Sequence, residues 1–308
     1  MAKLNHKFSS AITGILFLFT VLAVHHFAGA SELKQLQPAQ NVNPTNTLQN
    51  EERQANPAST VQEHAREESP SDRQHTAKGH SAGHAWSYEG STGPGHWGEL
   101  KPEFRIAKEG REQSPIDLHD EISSSDNQPL VINYSPCPLE ILNNGHTIQV
   151  NVPEGNTLRV GEKEYQLLQF HFHTPSEHTR DGEHYPLEAH FVHKDAEGHL
   201  SVVGVFVKKG SRNATLEKIW AHMPATEQGP DVIPDVTIAP GDLLPGDRGY
   251  FTYAGSLTTP PCTEGVQWFV LVEPVEASSE QIEKFAKIFH HNNRPTQPLF
   301  DRIVRRGP

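Results

Sequence analysis

Cysteine is scarce in this chain: Cys137 and Cys262 are the only two among 308 residues. That excludes a scaffold held by several disulfides and a metal site built from three or four thiolates. Basic charge is also short, with 26 Lys and Arg against 38 Asp and Glu and a formal net charge of -12. A nucleic-acid binder needs a basic face, and a peripheral anchor on anionic lipid needs a polybasic cluster; the balance argues against both. The first thirty residues hold the one long apolar run, Ala11 to Val24, which is shorter than the ~20 residues of a spanning helix. Residues 31–84 lack Phe, Trp and Tyr altogether.

These absences divide the chain. Lys3 and Lys7 precede the apolar run, and Ala28-Gly29-Ala30 follows it. Charged, apolar and small-residue regions in that order read as a signal peptide over 1–30, cut after Ala30. The alternative is an uncleaved anchor. The expected location is periplasmic or extracellular, with no stable membrane anchor after cleavage. Residues 31–84 are rich in Gln, Asn, Glu, Ser, Thr and Pro. Such a segment buries too little apolar surface to offset its ordering entropy, so it reads as a disordered polar linker. Its His64, His75, His80 and His84 read as solvated side chains, with weak metal binding as the alternative. From Ala85 the aromatics Trp86, Tyr88, Trp97 and Phe104 arrive quickly. Residues 85–308 read as a single domain.

Within that domain, short runs that alternate or are rich in β-branched residues predict strands. They are His146 to Val152, Tyr165 to His173, Pro186 to His193, Leu200 to Lys208 and Val266 to Val275. Two helices are expected. Ser278 and Gln281 fit a capping box ahead of Ile282, Phe285, Ala286 and Phe289, and Asn213 fits an N-cap ahead of Leu216, Ile219, Trp220 and Met223. Many strands with few helices between them predict a mixed α+β, mainly β fold: one large twisted, mostly antiparallel sheet with peripheral helices.

The stretch QFHFHTPSEH, Gln169 to His178, carries the chemistry. On a strand, alternate side chains share a face. Leu167, Gln169, His171 and His173 then lie on one side, and Leu168, Phe170 and Phe172 on the other. A second run places Glu188, His190 and Val192 together. The connection between the runs is turn-rich, so the strands could be neighbours. Gln169 and Glu188 each stand two residues before a histidine, where they could accept the ring N–H that a metal leaves unused. Three histidines without cysteine suit a catalytic zinc, which keeps a fourth position for water. The alternative is a set of surface histidines on a half-exposed strand. His178 and His193 are expected to hydrogen-bond within the sheet, and His96 and His184 to lie at the surface.

Seven stretches, in order, resemble the α-class carbonic anhydrases, most of all the exported bacterial members. They are Trp86 to Leu100, Gln113 to Leu118, Leu142 to Val150, Gln169 to His178, Leu187 to His193, Gly255 to Val270 and Asn292 to Leu299. The resemblance implies a zinc enzyme acting on a small-molecule substrate, with reversible hydration of CO2 to bicarbonate and a proton by zinc-hydroxide attack. Residue by residue, it implies zinc ligands His171, His173 and His190, with Gln169 and Glu188 behind them. It makes His146 the proton shuttle; Asn144-Gly145 before it also fits a plain turn histidine. Thr258 would accept a hydrogen bond from the hydroxide and donate its own proton to Glu177. Val192, Val202, Leu257 and Trp268 would form the apolar wall for CO2, with Thr259 on the same loop and Tyr88 in the solvent network.

Exported relatives commonly join the cysteine after TTPP to one five residues before QSP. Cys262 matches the first position, but Ala107 stands at the second. A Cys137–Cys262 bond, two free thiols and a bond between subunits all remain open, and a homodimer is compatible with the sequence without being specified by it. Two rival functions are a catalytically silent binding module, against which the complete histidine set argues, and an ester hydrolase, expected only as a side activity.

Overall fold

The computed structural model describes residues 84–119, 122–123 and 126–308. The signal peptide and all of the linker except His84 lie outside them. The principal strands are β1 (Cys137–Asn143), β2 (Ile148–Asn151), β3 (Lys163–His173), β4 (Leu187–Lys194), β5 (Leu200–Lys209), β6 (Gln228–Ile238), β7 (Tyr250–Ser256) and β8 (Glu264–Leu271). They lie in the order β6-β1-β2-β3-β4-β5-β8-β7, with short strands Arg305–Gly307 and Ile122–Ser123 beyond β7. Most neighbours are antiparallel; β5 and β8 run parallel. This is the mainly β, large twisted sheet expected. Among the described residues, no helix is long and apolar enough to cross a membrane.

Strand alternation separates two layers. Phe170, Phe172, Phe191, Val203 and Val205 point to a core shared with the helices α1 (Ala214–Ala221) and α2 (Ser279–Ala286). Phe172 meets Trp220 of α1 at 4.7 Å and Phe285 of α2 at 6.0 Å between ring centroids. Both helices start where the sequence predicts. Asn213 accepts from the amides of Thr215 and Leu216, and both halves of the Ser278–Gln281 capping box are made. The opposite face carries Val202, Phe206, Phe251, Trp268 and Val270. It also carries the histidines, so the helices back the sheet while the other face is left for chemistry.

The expected alternation of β3 fails at one point. Val192 pairs with Gln169, but His193 pairs with Leu167, so Leu168 is an extra, bulged residue. Leu167 therefore turns into the helix-side core and Leu168 is exposed. The bulge stands just before Gln169 and leaves Gln169, His171 and His173 in step. Strand β6 was hidden by Pro230 and Pro234, which an edge strand tolerates because one side of its ladder is unpaired.

Cys137 and Cys262 are both buried, free thiols. The Cys137–Cys262 bond is not formed: Cys137 begins β1 within the helix-side core, whereas Cys262 sits in the loop between β7 and β8. Burial raises the Cys137 thiol pKa, and chiefly burial pushes that of Cys262 up to about 11.

Three of the sequence stretches converge on buried Arg294, which is 1% exposed. Its guanidinium donates to Gln113 Oε1, the Ser114 carbonyl and the Ala107 carbonyl, each at 2.8 Å. Gln113 Nε2 in turn donates to the Cys262 carbonyl at 3.0 Å. Arg294→Met would leave two buried acceptors and one part-buried acceptor without their donor, and should lower stability by about 3–5 kcal/mol in urea unfolding. A loss below about 1 kcal/mol would mean that water or another side chain replaces the guanidinium.

Candidate metal centre and active site

Strands β3 and β4 bring the three histidines together. His190 pairs directly with His171, and Glu188 pairs with His173. Ring centroids are 5.0 Å apart for His171–His173, 5.4 Å for His171–His190 and 4.5 Å for His173–His190. One nitrogen from each ring lies within 4.8 Å of the other two. His173 and His190 are fully buried, while His171 is half-buried at the open side.

Each ring's other nitrogen is tied down. His171 Nδ1–H donates to Gln169 Oε1 at 2.9 Å, and His190 Nε2–H donates to Glu188 Oε1 at 2.9 Å. Both partners are those expected from the two-residue spacing. The third was not foreseen: His173 Nδ1–H donates to the backbone carbonyl of Asn292 at 2.7 Å. The tautomers are thereby set, leaving Nε2 of His171, Nε2 of His173 and Nδ1 of His190 as lone-pair donors. His173 Nε2 is buried without a hydrogen-bond partner. Such a polar atom is costly unless something coordinates it. Three convergent neutral nitrogens and no thiolate fit a zinc ion with an open fourth position.

Electrostatics favours the neutral form of two of the three rings. Burial, then the neighbouring imidazoles, holds His171 well below its ordinary pKa, and burial lowers that of His173. Burial acts the same way on His190, but Glu188 beside it and Glu177 behind outweigh that effect and raise its pKa. A carboxylate that makes the ring more basic toward a proton also makes it a stronger metal ligand.

Glu188 is fixed from every side. Its Oε1 accepts from His178 Nδ1 at 2.7 Å as well as from His190, and Oε2 accepts from the amides of Glu177 and His178 at 2.8 Å each. His178 Nε2 accepts from the Tyr253 hydroxyl at 2.6 Å. His178 therefore lies outside the sheet, in the connection between β3 and β4, and braces Glu188. His193 does bond across the sheet, to the Ser201 carbonyl, and takes a second bond from Tyr134. Gly204 was also missed. A Cβ there would meet Glu188 Oε1 at 3.0 Å and Val270 at 3.4 Å, so a glycine leaves room for the carboxylate.

The expected apolar wall forms a row across the sheet. Val192 pairs with Val202, and Val202 pairs with Trp268. The Trp268 ring stands edge-on to His190 at 4.9 Å, with its Nε1–H on the Ser256 carbonyl. Leu257 packs on the same cluster, Thr259 is half-buried in the following turn and Thr258 is buried.

The hydrogen bond expected from Thr258 to Glu177 is not formed. Glu177 Oε1 accepts instead from the Arg294 amide at 2.7 Å. Its Oε2 has no hydrogen bond and lies 3.6 Å from His173 Nε2 and 3.8 Å from His190 Nδ1, turned toward the two imidazoles.

His146 stacks on Trp86, with centroids 3.7 Å apart and planes 8° apart. Burial, then the positive potential of His84, pushes its pKa down to about 4. Tyr88 lies edge-on to His146 at 6.3 Å, and burial, reinforced by Glu177 and Cys262, keeps its phenol well above the ordinary pKa. Asn292 links this corner to the triad, because its Nδ2 donates to the carbonyls of His146 and Phe172 at 3.0 and 2.9 Å.

A model of the family described as eukaryotic-type carbonic anhydrase matches residues 92–307. A carbonic anhydrase of Nostoc sp. is 46% identical over 223 residues, spanning 71% of this chain and 84% of that protein. An alpha-carbonic anhydrase from Thermovibrio ammonificans, solved in complex with the inhibitor sulfanilamide, is 48% identical with a TM-score of 0.69. The match covers 71% of this chain and 98% of that one. A hyperthermostable carbonic anhydrase from an active hydrothermal vent chimney is 46% identical with a TM-score of 0.68, covering 72% and 100%.

Two outcomes follow from the geometry. Glu188→Ala should weaken zinc binding ~10–100-fold, read by competition with a chromophoric chelator; unchanged affinity would show that Glu188 does not support His190. Trp86→Ala should remove the stack and lift the His146 pKa from about 4 toward its usual ~6.5, followed by imidazole NMR titration. A value that stays near 4 would assign the depression to another neighbour.

Proposed function

The chain belongs to the eukaryotic-type carbonic anhydrase family, and on that premise we propose how its own residues carry out the family's reversible hydration of CO2. His171, His173 and His190 hold one zinc ion. The observation that carries this reading is the convergence of three lone pairs within 4.8 Å, with each ring's second nitrogen already committed to an acceptor. When bound, the ion supplies the Lewis acidity that makes water nucleophilic near neutral pH, a role for which carbonic anhydrases are the standard example.

The residues around it have separate tasks. Gln169, Glu188 and the Asn292 carbonyl keep the three rings in the tautomers that face the ion. Val192, Val202, Leu257 and Trp268 exclude water from one side and receive an uncharged, apolar substrate. Thr258 positions the nucleophile by accepting its hydrogen bond. For that, the Thr258 hydroxyl must give its own proton elsewhere, and Glu177 Oε2, which has no hydrogen bond in the structure, would accept it once the carboxylate turns away from the two imidazoles. Thr259 completes the loop. Tyr88, kept neutral by its raised pKa, offers a hydroxyl to the solvent between the centre and His146.

His146 exports the proton. Stacked on Trp86 it is a weak base, so its protonated form passes the proton on readily. We also read residues 1–30 as the signal peptide of an exported protein, 31–84 as a linker and 85–308 as the catalytic domain. The acidic charge leaves no role for nucleic acid, and no membrane anchor remains after cleavage.

Metal content and CO2 hydration of the mature protein, with and without a chelator, test the central claim. One zinc per chain and activity lost with the metal are expected; activity that survives complete removal of zinc would overturn it. His146→Ala should lower kcat on the order of 10²-fold in weak buffer and leave kcat/KM nearly unchanged, with small imidazole buffers restoring most of the loss. Thr258→Ala should lower kcat/KM, and buffer should not restore it.

A further inference from the structure

His84, the residue that precedes the aromatic start of the domain, lies at the same corner as His146. Its ring stands edge-on to the His146 ring, with centroids 4.5 Å apart. His84 Nε2 is 3.0 Å from Glu227 Oε2, so the imidazole donates to a carboxylate that is itself half exposed. The ring also rests over Gly145, where a Cβ would meet His84 Nε2 at 2.6 Å. Gly145 has a φ of +82°, so the Asn144-Gly145 turn that presents His146 also makes the seat for His84. One imidazole is thus stacked inward on Trp86, and a second is held outward on a carboxylate.

We propose that His84 and Glu227 form the outer stage of proton export, receiving the proton from His146 and releasing it to solvent. This rests on the reading of His146 as the shuttle and extends that path by one step. Protonated His146 gives a ring N–H proton to His84 Nδ1, directly or through one bridging water. His84 Nε2–H, held on Glu227, then loses its proton to a buffer base, and the ring returns to its first tautomer by exchange with water. Among the described residues, the titratable groups facing His84 are His146 and Glu227. They act in the required sense: a charged His84 disfavours a charged His146, so the proton resides on one ring at a time, while Glu227 favours charge on His146. His84 acts through His146 and does not touch substrate.

The test uses the mature full chain with its zinc, in the variants His84→Ala, Glu227→Gln, His146→Ala and His84→Ala/His146→Ala. His84→Ala should lower kcat in weak buffer by about 2- to 10-fold, less than His146→Ala does, with kcat/KM unchanged and the loss removed by imidazole buffer. The double variant should be no slower than His146→Ala alone, because the outer stage has no proton to receive. A readout independent of turnover is the NMR titration of the imidazoles. Glu227→Gln should lower the pKa of His146, and His84→Ala should raise it. If His146→Ala slows weak-buffer turnover while His84→Ala leaves it unchanged, the outer stage is wrong and the shuttle stands. If His146→Ala has no effect, both fall. A His146 titration that ignores both Glu227→Gln and His84→Ala removes the coupling on which the proposal is built.

Discussion

Glu188 is a carboxylate buried without solvent contact, and it can keep its charge only if donors fill its lone pairs. It has four: two backbone amides and two imidazole N–H groups. An unsatisfied charge at such a site would cost several kcal/mol. The requirement therefore reaches outward. It fixes the backbone at Glu177 and His178, selects the tautomer of His190, engages His178 with Tyr253 and keeps the facing position of β5 without a side chain at Gly204. The same carboxylate is held well below its usual pKa by His178 and His190 against the opposing effect of burial. A charge set in this way holds the nearby ligand ring both in place and more basic.

The sheet lets one strand serve two purposes because its side chains alternate. Phe170 and Phe172 fasten β3 to the helices, while His171 and His173, which alternate with them, face the other way. The two imidazoles of β3 are thus anchored by burial on the far side of their own backbone as well as by the hydrogen bonds on their own side. The apolar row Val192–Val202–Trp268 lies beside them by register alone. A charged centre and a dry wall become neighbours because they are successive rows of the same paired strands.

Much of this was legible in the sequence. The two-residue spacing gave the shared face of His171 and His173 and the partners Gln169 and Glu188, since each is a local property of an extended chain. Both helix starts were legible for the same reason. What escaped depended on distant groups. A backbone carbonyl such as that of Asn292 has no residue-type signature, and the role of Gly204 shows only when the Glu188 carboxylate lies beside it. The bulge at Leu168 depends on pairing with His193, and the prolines of β6 are acceptable only at an edge, which the chain does not announce. The orientation of Glu177 toward two imidazoles, rather than toward Thr258, reflects a local field that no spacing encodes. Cys137 and Cys262 had suggested a bond because they are the only pair, but the fold sends one to the helix-side core and the other to a loop.

Those two buried thiols have a consequence for how the protein comes to be folded. With no covalent cross-link among its described residues, the domain draws its cohesion from burial and hydrogen bonding alone. It needs no thiol oxidant and no sorting of alternative disulfide pairings to reach its final state. The glutathione balance of whichever compartment receives the chain is then immaterial to its shape. An oxidising and a reducing environment should yield the same enzyme.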